Sequence, residues 1–311
     1  MDPSGGPSVA ERCGIVAGMR ISIWPGAGQS YGEVLEVSRH AAETGWDGVY
    51  IADHFMPNTT TDQKMYGPML ECGSLVAALG SVLPRVRIGT LVYGNTYRHP
   101  AVLANMAATV DQITGGRFTL GVGAGWQINE HAEYGIELPP VKQRLDRFVE
   151  ALQVLHGLLR QPTTTLDGEY YQLTDAVCEP KPVQGPLPIL IGGGGERRML
   201  RIVARYADMW NTWGKPDLIA RKSALLDDYC AELGRDPKSI ARTAQALMVV
   251  DGPLPEGLPV PIIGGSAGQL AETIAEYREI GLDELIVPDG RLGKGTDRLK
   301  AMDVILGIVN G

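Results

Sequence analysis

The stretch VRIGTLVYGNTYRHPAVLANMAATVDQITGGRFTLGVGAG, residues 86–125, decides the fold. It opens on VRIGTLV (86–92), a short apolar run with the β-branched content of a buried strand. HPAVLANMAATVDQITGG (99–116) follows, with apolar residues at helical spacing, Pro near the first turn and Gly-Gly after the last. RFTLGVGAG (117–125) is apolar again and runs into glycines. Strand, helix and strand in this order make the repeating unit of a parallel sheet covered by helices.

The alternation extends both ways. Upstream lie a strand at 19–24 (MRISIW), a helix at 30–45 closed by Gly45, a strand at 47–53 (DGVYIAD) and a helix at 74–84 ended by Pro84. Downstream it pauses over 126–186, which hold a helix near 142–160 and a hairpin turn at Asp167-Gly168. It resumes with PILIGGGG (188–195), a helix at 196–207, DMWNTW (208–213), a helix at 216–234 and ARTAQALMVV (241–250). A helix at 266–281, DELIVPD (283–289) and a helix near 294–310 complete it. Eight strands, each followed by a helix, predict an α/β fold and favour a closed (β/α)8 TIM barrel over residues 19–311 rather than an open doubly wound sheet; the pause falls after the fourth strand, where the resemblance given below implies an insertion. Residues 1–18, rich in Gly, Pro and Ser, read as a flexible N-terminal extension, and 56–72 and 251–265 as loops.

Composition narrows the partners. The 311 residues carry 28 Lys and Arg against 36 Asp and Glu, a net charge of −8, which disfavours nucleic acid or an anionic membrane as a general partner. No apolar run reaches the roughly 20 residues of a membrane span, and no basic-then-apolar leader opens the chain. The four cysteines, Cys13, Cys72, Cys178 and Cys230, are too far apart for a zinc knuckle or a disulfide framework and read as small buried or surface thiols. No His or carboxylate cluster has metal-ligand spacing. The expectation is a cytoplasmic protein that acts on a small molecule without a metal.

A barrel builds its site at the C-terminal ends of its strands. IGGGGERRML (191–200) carries a strand through four glycines towards a helix. Such a turn lets the backbone approach a phosphate, and Arg197 and Arg198 suit an anion there; a plain tight turn is the alternative. The spacing is neither that of a Walker loop nor that of a Rossmann fingerprint. Asp53-His54 ends the second strand, where an imidazole can exchange a proton near neutral pH; a capping Asp beside a half-buried His is the bland reading. His40, His99, His131 and His156 fall mostly in helical stretches and read as structural. Trp24, Trp126 and Trp213 stand near strand ends, where aromatics line either a ligand site or ordinary core.

Together, DGVYIADHF (47–55), residues 87–126, residues 179–211 and IAEYREIGLDELIV (274–287) resemble the bacterial luciferase-like superfamily, and within it the branch that uses coenzyme F420. The resemblance implies a barrel, a homodimer, a bound flavin-type coenzyme and hydride transfer or oxygen activation. By position, His54 matches the active-site histidine and Asp53 a coenzyme contact. Leu91-Val92 falls where the family has a non-prolyl cis peptide against the ring. Gly94, Ala124, Gly125 and Asn129 match coenzyme contacts, and Gly193, Gly194, Gly195 and Glu196, with Arg197 beside them, the phosphate turn. Trp126 stands where sugar-phosphate dehydrogenases of the family have a proton-transferring acid. The resemblance therefore implies an F420-dependent oxidoreductase with a fairly apolar substrate. An FMN-dependent monooxygenase, or a flavin-binding protein without turnover, are the rival readings.

Overall fold

The computed structural model describes residues 18–59, 61, 63–255, 257, 258 and 260–311. Cys13 and the N-terminal extension up to residue 17 lie outside the described residues. In chain order the elements are β1 (Arg20–Trp24), α1 (Tyr31–Thr44), β2 (Gly48–Ile51), α2 (Cys72–Val82), β3 (Arg87–Thr90), β4 (Tyr93–Gly94) and α3 (Pro100–Thr114). Then come β5 (Phe118–Gly123), α4 (Ile128–Tyr134), α5 (Val141–Arg160), β6 (Thr164–Asp167), β7 (Gln172–Ala176), β8 (Ile189–Gly192) and α6 (Met199–Tyr206). The chain closes with β9 (Met209–Trp213), α7 (Pro216–Glu232), β10 (Ala241–Gln245), β11 (Leu247–Val250), β12 (Ile262–Gly265), α8 (Ala267–Glu279), β13 (Glu284–Pro288) and α9 (Gly295–Asn310).

Hydrogen bonding orders the main sheet β3-β2-β1-β13-β10-β9-β8-β5-β4, and a further β3–β5 pairing joins its end to its start. This is the connectivity of a (β/α)8 barrel, as the alternation predicts. The chain forms two compact units. One holds residues up to Trp24, Glu43–Gly48 and Leu190–Gly311; the other holds Pro25–Ala42 and Val49–Ile189.

In the first unit β1 pairs in parallel with β13, β13 with β10, β10 with β9 and β9 with β8. A buried polar group sits between β1 and β13, where Arg20 lies 3.1 Å from Glu284 and Ser22 Oγ donates to Glu284 Oε1 at 2.5 Å. In the second unit β3 and β4 both pair in parallel with β5. Thr90 Oγ1 donates to Gly121 O at 2.8 Å and accepts from Gly121 N at 2.9 Å, locking β3 to β5. The hairpin β6–β7 is antiparallel about Asp167-Gly168, as expected, and Glu150 accepts the amides of Glu169, Tyr170 and Tyr171 around its turn.

Helix ends follow local chemistry. His99 caps α3 by accepting from Ala101 N, Pro100 is its first residue, and Gly115 ends it in the left-handed region at φ 63°. Ser266 and Gln269 form a reciprocal capping box on α8.

Three expectations are corrected. The apolar run 241–250 is two strands: β10 stays in the main sheet and β11 leaves it to pair with β12. Residues 251–265 are accordingly not all loop, because 262–265 form β12. An unbroken apolar run carries no mark of where a strand changes partner. Third, α6 begins at Met199 rather than at 196, so Arg197 lies in the preceding turn and Arg198 is the cap. The short α4 was not anticipated; its seven residues, INEHAEY, show too little apolar periodicity. Cys72, Cys178 and Cys230 are buried free thiols.

Glycine 121 reports on how tightly β3 and β5 meet, since a Cβ there would lie 1.8 Å from Thr90 O. Gly121→Ala is expected to destabilise the protein by about 3 kcal/mol, the upper end of overpacking costs. Gly307→Ala, on α9 with open space around it, is expected to stabilise it by about 0.5–1 kcal/mol. Urea unfolding of the two variants, read as shifts in opposite directions, checks both.

Candidate active site

Two groups of predicted residues are assembled, one in each unit. In the second unit, β2 ends at Ile51 and delivers Asp53 and His54 just beyond it. Asp53 is buried, and both its oxygens are engaged: Arg98 Nη1 donates to Oδ2 at 2.7 Å, Arg98 Nη2 to Oδ1 at 3.0 Å, and Gly94 N to Oδ2 at 3.0 Å. Arg98 Nη2 also reaches Glu71 Oε1 at 2.6 Å, while Glu71 caps α2 through Gly73 N and Ser74 N. The guanidinium lies 4.9 Å from the Tyr93 ring centre. Burial pushes the Asp53 carboxyl up, against the pull of Arg98. Burial alone would lower Arg98, but its two carboxylate partners hold it above the ordinary value and charged. Asp53 thus fixes the backbone at Gly94, and its carboxylate faces inward rather than into open space.

Between β3 and β4 the Leu91-Val92 bond is a non-prolyl cis peptide, where the resemblance puts it. Leu91 N donates to Ile51 O at 2.8 Å, which ties this bend to the end of β2.

His54 is 14% exposed, and its Nδ1 lies 2.9 Å from Oε1 of Glu130, which is fully buried. Glu130 collects two more donors. Phe55 N donates to Oε2 at 2.7 Å, and the Tyr97 hydroxyl donates to Oε1. Burial would raise the Glu130 carboxyl, but these donors outweigh it and hold it below the ordinary glutamate value. Burial and the carboxylate together push the Tyr97 phenol up, so it stays protonated and donates. An ionised carboxylate can only accept, so Nδ1 is the donor of this contact. Trp126, about half exposed at 47%, meets the His54 ring edge-on at 5.4 Å between centroids.

His131 is structural, as expected. Its Nδ1 bonds Gln127 O at 2.5 Å, its Nε2 bonds Thr96 Oγ1 at 2.7 Å, and burial lowers its pKa and keeps it neutral. Gly125 takes φ 87°, and a Cβ there would meet Thr96 Oγ1 at 2.6 Å. Ala124 beside it is half-buried. Asn129 is buried and its Oδ1 has no hydrogen-bond partner among the described residues; the same holds for Gln127 Oε1. Buried acceptors without partners fit a planar group that brings its own N–H and O–H donors, as a flavin-type ring with a polyol chain does.

In the first unit β8 opens into the glycine turn. Gly193 N donates to Asn211 O at 2.9 Å, and Trp210 Nε1 donates to Gly193 O at 2.8 Å. Lys222 Nζ on α7 donates to Gly194 O at 2.6 Å, and Glu196 pairs with Arg221 at 2.8 Å. Arg197 is exposed. The Trp24 and Trp213 rings meet at a tilt of 52°, with centres 5.9 Å apart.

Sequence reasoning missed Glu130, Tyr97, Arg98 and Lys222. Each acts through a partner 28 to 76 residues away, which no local pattern reveals. The signal within reach was Glu130, which directly follows Asn129 in the same short segment.

A closed parallel sheet of this connectivity defines the class of (β/α)8 barrel proteins. The chain belongs to the luciferase-like monooxygenase family, whose model matches residues 12–253. It is 35% identical over 176 residues to an F420-dependent glucose-6-phosphate dehydrogenase of Amycolatopsis mediterranei, a match covering 56% of this chain and 50% of that protein. It is 30% identical over 216 residues to an uncharacterised protein of Mycobacterium tuberculosis H37Rv, covering 69% of this chain and 68% of the other. The matched stretch thus spans about half the length of the named dehydrogenase relatives. Among solved structures, an F420-dependent secondary alcohol dehydrogenase in complex with an F420-acetone adduct superposes with a TM-score of 0.79 at 19% identity, over 93% of this chain and 99% of that one. An EDTA monooxygenase from Chelativorans sp. BNC1 superposes with a TM-score of 0.79 at 16% identity, over 94% and 93%. At these identities the two share the fold. No helix among the described residues is long and apolar enough to cross a membrane.

Removing the Glu130 charge tests the network. Glu130→Gln is expected to cost about 2–3 kcal/mol at neutral pH, because three donors lose their carboxylate. A carboxyl held below its ordinary value stabilises the fold fully above that ordinary value, and the contribution is lost as pH falls through the lowered folded value. The stability gap between wild type and variant, measured by urea unfolding across a pH series, is therefore expected to be widest at neutral pH and to close in acid.

Proposed function

We propose that the protein is an F420-dependent oxidoreductase that moves a hydride between the deazaflavin coenzyme and a small, fairly apolar organic substrate. The observation that carries this reading is His54, just past the end of β2 and held at Nδ1 by the buried Glu130 carboxylate. The named relatives and the family support it. Bound F420 supplies a two-electron hydride carrier. This chain's residues supply the rest. The Leu91-Val92 bend backs the ring, and Gly94, Ala124, Gly125 and Asn129 contact its edge and chain. Asp53 holds the Gly94 amide in place. Gly193, Gly194, Gly195 and Glu196 receive the phosphate, and Arg197 the acidic tail. Nε2 of His54 gives or takes the proton that accompanies hydride transfer. Trp24, Trp126 and Trp213 present apolar surface to the substrate. A cytoplasmic homodimer is part of the same reading.

The substrate is set apart from that of the sugar-phosphate relatives by Trp126. An indole cannot transfer a proton as a carboxyl does, so glucose 6-phosphate is not the expected substrate. An FMN-dependent monooxygenase is the second reading, favoured by the family description and by the EDTA monooxygenase fold.

Titration with both coenzymes separates the readings. F420 is expected to bind and FMN to bind more weakly; submicromolar FMN binding without detectable F420 binding overturns the proposal. In His54→Ala, turnover is expected to fall at least about a hundredfold with coenzyme affinity little changed. Unchanged turnover removes His54 from the chemistry.

A further inference from the structure

Two successive carbonyls of the glycine turn after β8 are held from one side. Trp210 Nε1 donates to Gly193 O at 2.8 Å, and Lys222 Nζ on α7 donates to Gly194 O at 2.6 Å. Trp210 is fully buried and in register with Arg242 of β10, whose guanidinium bonds Asp227 on α7. Paired residues of a sheet share a face, so Trp210 points to the helix layer, the side from which Lys222 also comes. The Gly193-Gly194 and Gly194-Gly195 peptides are trans. In a trans peptide the carbonyl and the following amide point opposite ways. With both carbonyls drawn towards the helices, the Gly194 and Gly195 amides turn away from them. Neither amide donates to any group among the described residues. Gly195 is exposed and Gly194 half-buried, so the turn is accessible from solvent.

Gly194 O is the sole hydrogen-bond partner of Lys222 among the described residues. A Cβ on Gly194 would lie 2.6 Å from both Lys222 Nζ and Thr212 Oγ1. Glycine there leaves the room through which the ammonium reaches the carbonyl. The neighbouring Arg221 pairs with the Glu196 carboxylate, whereas Lys222 bonds a neutral backbone oxygen. We propose that Lys222 is a positioning residue for phosphate recognition: by holding Gly194 O it presents the Gly195 amide to the anion, as Trp210 presents that of Gly194. The inference rests on the reading in which this turn receives a coenzyme phosphate, and adds the side chain on which that reception depends.

Trp210 belongs to the core, so the test falls on Lys222, which is half-buried on α7. It uses two pairs of fluorescent ligands on the full chain: the ribityl deazaflavin with and without a phosphate on its last ribityl carbon, and FMN with riboflavin. Fluorescence titration gives the factor by which the phosphate improves affinity. In wild type this factor is expected to be at least about tenfold, as for hydrogen bonds to a charged group. Lys222→Met is expected to lose most of the factor, with affinity for the phosphate-free ligand little changed. Lys222→Arg, which can still donate to Gly194 O, is expected to keep it. The gap between wild type and Lys222→Met is expected to persist in 1 M salt, where screening within about 3 Å removes attraction at a distance. An unchanged factor in Lys222→Met, an equal loss of both affinities, a gap abolished by salt, or no factor in wild type overturns the inference. If only the flavin pair binds, the F420 reading fails, and that pair still decides the role of Lys222. Binding of neither pair by wild type overturns both.

Discussion

One buried carboxylate holds the second unit's site together. Glu130 sits on a helix of only seven residues, too short to be stable by itself, yet it collects donors from the end of β2 and from the loop after β4. A buried charge survives only when it is well paired, and three donors on two oxygens meet that condition. The helix is placed by its charge, and the charge by its partners. Removing any one donor leaves the others facing a less well compensated anion. His54 thereby acquires its orientation and its tautomer from the same interaction that fixes the helix.

A second carboxylate does the matching work one residue earlier in the chain. Asp53 turns inward to Arg98 and the Gly94 amide, while His54 turns to Glu130. Successive residues in an extended segment point to opposite sides, so a single dipeptide serves two networks. Arg98 extends the first of them to Glu71 and hence to the start of α2. The backbone from Leu91 to Gly94 is therefore held from both ends, by Leu91 N on Ile51 O and by Gly94 N on Asp53.

Much of this was legible beforehand, and the divide follows range. The alternation of β-branched runs with Gly- and Pro-bounded helical segments is local, so the eight helix-linked strands of the barrel, the hairpin at Asp167-Gly168 and the placing of Asp53-His54 at a strand end could be read from single stretches. The resemblance located the cis bend. What stayed hidden depends on pairing across the chain. That β11 leaves the main sheet is invisible in an apolar run that suits either partner. Glu130 lies 76 residues from His54 and Lys222 lies 28 from Gly194, and neither spacing repeats any motif. Asp53 illustrates the opposite case: its place at the strand end is legible, but the inward turn of its carboxylate is set by Arg98, 45 residues on.

The indole at residue 126, where the resemblance puts an acid in sugar-phosphate dehydrogenases, has a consequence for where a proton can reside. A carboxyl at that position would compete with the imidazole. Trp126 instead offers a ring edge 5.4 Å from His54 and no titratable group. Glu130 does not fill the gap, because its donors hold it as an anion and already occupy both oxygens. Tyr97 does not fill it either, since burial and its carboxylate partner keep the phenol protonated. The imidazole thus lies among a carboxylate held as an anion, through it a phenol held protonated, and an indole. On the proposed reading, an apolar side chain at 126 favours less polar substrates and leaves His54 as the group that exchanges the proton.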